Sequence, residues 1–122
     1  MEGFAVSPRR AEGLQLLDVV GELDIATAPE LTDAVTAALV SAAADGVPPV
    51  LDLTRCTFLD SSGSRAVGMA ARQGASTGVR VALVSPRSVT AVRRVVEHVG
   101  LAAVMAVHDD LDTALAGEAA SR

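Results

Sequence analysis

Apolar positions along this chain switch between two spacings, and the switches mark its elements. Residues 3–8 read as a short edge strand. Apolar residues then crowd 14–20, interrupted by Gln15 and Asp18 and closed by Gly21, which is a strand pattern. The connector at 9–13 is short enough for a hairpin between the two. From Leu31 the spacing changes: Leu31, Val35, Ala38, Leu39 and Ala42 recur as one helical stripe. Thr27 with Glu30 three residues on forms a capping-box pattern, and Pro29 suits a first helical turn. Gly46 and Pro48-Pro49 end that helix. Residues 50–53 are the next strand. A second helix follows Gly63 to about Ser76, its small face marked by Ala66, Ala70 and Gly74. Residues 79–84 form the clearest strand pattern in the chain, broken by Ser85-Pro86. Val89, Val92, Val96 and Val99 mark a third helix closed by Gly100. Residues 103–107 read as a last strand. Asp109 and Asp110 then cap a final helix carrying Leu111, Ala114 and Leu115. The alanine-rich tail, 117–122, is expected to fray.

Strands alternating with helices predict an α/β fold with right-handed parallel crossovers. The opening hairpin adds an antiparallel pair, so the sheet is mixed, with about four or five strands and about four helices. The turns at 21–27, 55–63, 85–88 and 108–110 leave the carboxyl ends of strands and share one edge of the sheet, the edge that carries function in open α/β sheets.

At 122 residues the chain makes one domain, and half of its residues are hydrophobic, which excludes disorder as its ground state. A net charge of −5 disfavours direct nucleic-acid binding, whose affinity comes mainly from phosphate neutralisation. The aromatic residues are Phe4 and Phe58 alone, so base stacking and most aromatic interface anchors are missing. A single cysteine, Cys56, rules out an internal disulfide framework and reads as a small buried hydrophobe. No signal-peptide pattern opens the chain, and no apolar run reaches the roughly 18 residues of a membrane span. The expectation is a cytoplasmic protein without membrane insertion.

The densest chemistry is Asp60-Ser61-Ser62-Gly63, where a strand hands over to a helix. Unpaired amides and partial positive charge at a helix start suit a capping side chain, the commoner use of Ser and Asp, or a phosphate. Three polar residues exceed what one cap requires. Gly63 in the first turn costs about 1 kcal/mol against alanine, which close approach by another group would offset. Gly21-Glu22-Leu23-Asp24 lies at the same sheet edge, either as a solvated loop or as a neighbour that brings Asp24 toward Ser61. Catalysis is not expected. There is no G-x-S-x-G elbow, no phosphate-binding loop and no dinucleotide fingerprint. His98 and His108 lack metal-ligand spacing. Arg93-Arg94 reads as a solvated helix face.

Together these pieces carry a family likeness. Gly21-Glu22-Leu23-Asp24, Leu51-Asp52-Leu53, Phe58-Leu59-Asp60-Ser61-Ser62-Gly63, Gly78 before Val81-Ala82-Leu83-Val84-Ser85-Pro86, and Val99-Gly100-Leu101 resemble a STAS domain. In particular the chain resembles the free-standing anti-sigma factor antagonists of bacteria, and the likeness covers about residues 14–115. The resemblance implies a STAS-like fold and a regulatory binding module without enzymatic activity or cofactor. It implies a partner, an anti-sigma factor of serine-kinase fold, whose capture frees a sigma factor. It also implies phosphorylation of the serine after the motif aspartate, Ser61 here with Ser62 as the alternative, and a phosphatase that resets it. Asp24, Asp60, Ser62 and Gly63 become the neighbours of that site and its partner-binding surface. One departure stands out: Ser64 replaces the usual apolar residue after the motif and Arg65 follows, so a more polar helix face is expected.

Two other readings share the sequence. One is a STAS subunit of a membrane transport ATPase complex. The other is a small hydrolase using Ser61, which requires a base such as His108 within reach.

Overall fold

The computed structural model describes residues 3–120. β1 (Ala5–Ala11) and β2 (Leu14–Leu23) form the expected hairpin, but its connection is only Glu12-Gly13. Both turn residues have positive φ, 54° and 73°, which is the tight turn that matches strand twist. β1 therefore runs further than the sequence pattern showed. It lies at the edge of the sheet, where Pro8 withholds no needed ladder donor.

β2 alternates between two buried faces. Leu14 and Leu16 join Val50, Ala82, Val84 and Ala114 in one cluster. Leu17, Val19 and Leu23 join the larger cluster built on α1 (Ala28–Asp45), α2 (Ser61–Ser76) and α3 (Thr90–His98). Burial on both faces explains why β2 reads as a nearly continuous apolar run. Gln15 interrupts that run because its Nε2 donates to the carbonyls of Ala38 and Val47, at 2.9 and 2.7 Å, tying α1 and the turn after it to the sheet.

The strand order is β1-β2-β3-β5-β6, with β3 at Pro49–Asp52, β5 at Ala82–Val84 and β6 at Val107–His108. Every pair after the hairpin is parallel. Because the order advances in one direction, right-handed crossovers place α1, α2 and α3 on the same face. α4 (Leu111–Ala120) packs on the other face through Ala114, with Leu111 and Leu115 beside it.

Several expectations change. The sheet has six strands, because β4 (Cys56–Leu59) pairs with the last residues of β2 directly after β3, with no helix between them. The expected strand at 79–84 narrows to β5, since the Val79 amide bonds back to Gly74 and closes α2. Where a strand was expected at 103–107, Gly100 turns left-handed at φ 72° and a 3-10 turn covers Leu101–Ala103 before β6. Residues 117–120, expected to fray, continue α4, and Glu118 there is buried. Residues 121–122 lie outside the described residues.

Candidate functional site

The site begins where β4 ends. Asp60 holds extended geometry, φ −108° and ψ −170°, and its carboxylate accepts the Gly63 amide at 2.9 Å. It is the N-cap of α2. Ser64 is buried, and its hydroxyl donates back to the Asp60 carbonyl at 2.7 Å. The expected polar face at Ser64 is therefore corrected: a hydroxyl bonded back to its own helix start and only 3% exposed adds little to the surface. Arg65 is exposed and does.

Ser61 is exposed and Ser62 half-buried. Neither hydroxyl makes a hydrogen bond among the described residues. With capping done by Asp60 and Ser64 turned inward, Ser61 opens the helix with its hydroxyl free toward solvent.

Gly63 shows why the two sequence motifs adjoin. A Cβ on Gly63 would overlap the carbonyl oxygen of Leu23 and sit 2.9 Å from Leu59 Cδ1. The start of α2 thus packs directly on the end of β2, one peptide before Asp24. The Asp24 carboxylate faces its own loop, accepting the amides of Ala26 and Thr27 at 2.9 and 3.1 Å. Thr27 Oγ1 accepts from the Asp24 amide and donates to the Glu22 carbonyl. The expected capping box is corrected accordingly. Thr27 makes no side-chain cap, because its hydroxyl is used within this loop. The loop presents Ile25, which is 76% exposed. No hydrogen bond joins Asp24 to Ser61; the motifs meet through backbone.

The remaining candidates sit elsewhere. His108 Nε2 bonds to the buried Glu118 at 2.8 Å, and Arg80 holds the same carboxylate at 2.7 Å. Burial pushes Glu118 upward, but hydrogen bonds from Arg80 and His108 outweigh it and hold the carboxyl below its usual range. His108 thus fastens α4 rather than bonding to Ser61. Burial raises the Cys56 thiol, which contacts the Phe58 carbonyl at 3.3 Å. Arg93 departs from the expected solvated face. It is largely covered and bonds Glu97, Asp109 and the Ser85 carbonyl, while Arg94 stays exposed. Asp110 caps α4 by accepting the Thr113 amide at 2.7 Å, and Asp109 pairs with Arg87 and Arg93 instead.

Sequence reading passed over the other side of Ser61. A groove of about 240 Å³ runs between α2 and the segment after α3, lined by Ser61, Arg65, Gly68, Arg72, Val99 and Val104 among others. The signal was available in the spacing: positions 61, 65, 68 and 72 share one helical face.

A single mixed α/β domain with an exposed serine at the start of its second helix, locked to a G-E-L-D turn, defines a STAS-type module. Residues 7–111 match the family described as MlaB, STAS domain, and the chain belongs to that family. Among solved structures it is similar to an anti-sigma factor antagonist from Mycobacterium paratuberculosis. That likeness has 27% identity and a TM-score of 0.76 over 94% of this chain and 93% of that one. It also shares the fold of the Bacillus cell-fate determinant SpoIIAA in its phosphorylated form, at 21% identity and TM-score 0.62, over 93% and 96% of the two chains. A sulfate transporter family protein from Wolinella succinogenes shares it too, at 18% identity and TM-score 0.68, over 90% and 89%. No protein of curated function matches the sequence. Among the described residues no helix is long and apolar enough to cross a membrane.

Proposed function

We propose that this protein is an anti-sigma factor antagonist: it binds a kinase-type anti-sigma factor, frees a sigma factor, and is switched off by phosphorylation of Ser61. The observation that carries the reading is the exposed Ser61 hydroxyl, without a hydrogen bond, at the first residue of α2, beside an aspartate already used as the cap. The 27% identical structure, an anti-sigma factor antagonist, supports the same class. The kinase transfers the γ-phosphoryl group of ATP to Ser61 Oγ, ADP leaves, and the hydroxyl proton passes to a base of the kinase, since no base of this chain bonds to it. The chain itself performs no catalysis and holds no cofactor. A phosphatase restores the hydroxyl, and the cycle runs in the cytoplasm without direct nucleic-acid contact.

Phosphate adds about −1.5 to −2 charges, which a helix N-terminus tolerates, so the fold survives. A partner docked over the same point must desolvate that charge. At about 3 kcal/mol the loss is roughly a hundredfold in affinity. The test is mass spectrometry after incubation with the anti-sigma factor, ATP and magnesium. Phosphate is expected on Ser61, with Ser61→Ala unmodified and binding constitutively. Phosphate on Ser62 alone moves the site by one residue.

A second reading, a subunit of a membrane transport ATPase complex, draws on the fold shared with the sulfate transporter family protein. Phosphate on neither serine, binding unchanged by Ser61→Asp, and copurification with a transport ATPase select it.

A further inference from the structure

We infer that the groove beside Ser61 receives an acidic segment of the partner, with Arg65 and Arg72 as its charge anchors, and that phosphate on Ser61 closes it by claiming Arg65. This deepens the proposed function and rests on it.

Charge is the first ground. All ten basic residues of the chain are arginine, in a protein of net charge −5. Arg9, Arg10, Arg80, Arg87 and Arg93 are held in ion pairs. Arg65 and Arg72 form none among the described residues, and both line the groove, which no carboxylate lines. Asp60, next to Ser61 in the chain, accepts the Gly63 amide. Two unpaired guanidinium groups facing one channel of an acidic protein complement a partner that supplies carboxylates.

Shape is the second ground. Gly68 lies between the two arginines along the groove and adds no side chain to its floor, where Leu101 Cδ2 would stand 3.6 Å from a Cβ. The opposite wall offers Val99 and Val104, 44% and 45% exposed. Apolar contact along the channel with charge at both ends fits an acidic segment carrying an apolar side chain between its carboxylates.

The geometry also explains the closing step. Ser61 and Arg65 are four residues apart on one helix, where side chains meet, and with the anion N-terminal to the cation the pair has its favourable orientation. A phosphate on Ser61 therefore pairs with Arg65 within its own helix and competes with the partner's carboxylate for it.

The test is calorimetric titration of the anti-sigma factor into the wild type, Arg65→Glu, Arg72→Glu and Arg94→Glu, at low and high salt. Arg94 is exposed and does not line the groove, so it controls for net charge. Arg65→Glu and Arg72→Glu are each expected to weaken binding by about tenfold or more and flatten its salt dependence, with Arg94→Glu changing it less than about twofold. In a second arm phosphoserine is encoded directly at position 61 and titrated by phosphorus NMR. Arg65→Gln is expected to raise the second phosphate pKa from its value beside Arg65. Equal affinities for Arg72→Glu and Arg94→Glu, with phosphorylation still releasing the partner, overturn the inference and leave the proposed function standing. An unchanged phosphate titration in Arg65→Gln overturns the closing step. A self-association of the wild type that Arg72→Glu abolishes overturns the assignment in favour of a second copy. Failure of the wild type to bind any kinase-type partner defeats the proposed function itself and is visible before any arginine variant is compared.

Discussion

Replacing Gly63 by alanine puts a methyl group where the end of β2 already stands. The new Cβ overlaps the Leu23 carbonyl oxygen and lies 2.9 Å from Leu59 Cδ1. The leucine methyl yields by rotation. The carbonyl does not, because Leu23 is fully buried and paired with Leu59 between β2 and β4. Overpacking of this kind costs about 1–3 kcal/mol. Alanine returns up to about 1 kcal/mol of helix propensity. The net loss is about 1–2 kcal/mol, or roughly 4–8 °C in Tm for a chain of this size. Gly68 is the control on the same helix, because its Cβ would make only an ordinary contact, so Gly68→Ala is expected to gain about 1 kcal/mol. Gly74→Ala falls with Gly63→Ala, since its Cβ lies 2.6 Å from the Val79 carbonyl. Urea denaturation of the three variants measures the split, and hydrogen exchange at residues 63 and 64 localises it. A Gly63→Ala protein as stable as Gly68→Ala would refute direct packing of α2 on β2 at this point.

Asp60→Ala removes the cap on the Gly63 amide and is expected to cost about 1 kcal/mol, while Asp60→Asn keeps most of it; chemical denaturation separates the two. Glu118→Gln is expected to lose about 1–2 kcal/mol near pH 7, because the charge-assisted hydrogen bond from Arg80 weakens and the bond with His108 is disturbed, with Arg80 partly shielded by solvent. Since Glu118 is held below its usual range, its contribution is present above the ordinary carboxylate pKa and fades as pH falls through the lowered one. The wild-type and variant stability curves should therefore converge in acid, and a constant gap down to pH 3 would contradict this. Cys56, buried and with its thiol raised, should resist a thiol reagent at neutral pH until the protein unfolds; immediate labelling of the native state would place it at the surface.

The sequence by itself determined the elements whose signal is local. The apolar stripe from Leu31 to Ala42 made α1, and the Asp-Ser-Ser-Gly cluster marked the start of α2, because helical period and caps are written within a few neighbouring residues. The order of motifs was likewise enough to identify the family. Tertiary structure decided what depends on distant partners. β4 exists only because the end of β2 offers it a ladder, and 79–81 leave the sheet because α2 needs the Val79 amide. Which of several polar residues caps and which stays free was also settled there: Asp60 caps, Ser64 turns inward, Asp24 and Thr27 bind their own loop, and Ser61 is left exposed. Arg93 became a largely covered tie and Arg65 an unpaired charge for the same reason. A residue type fixes what a side chain is able to bond, but only packing fixes which bonds are already taken.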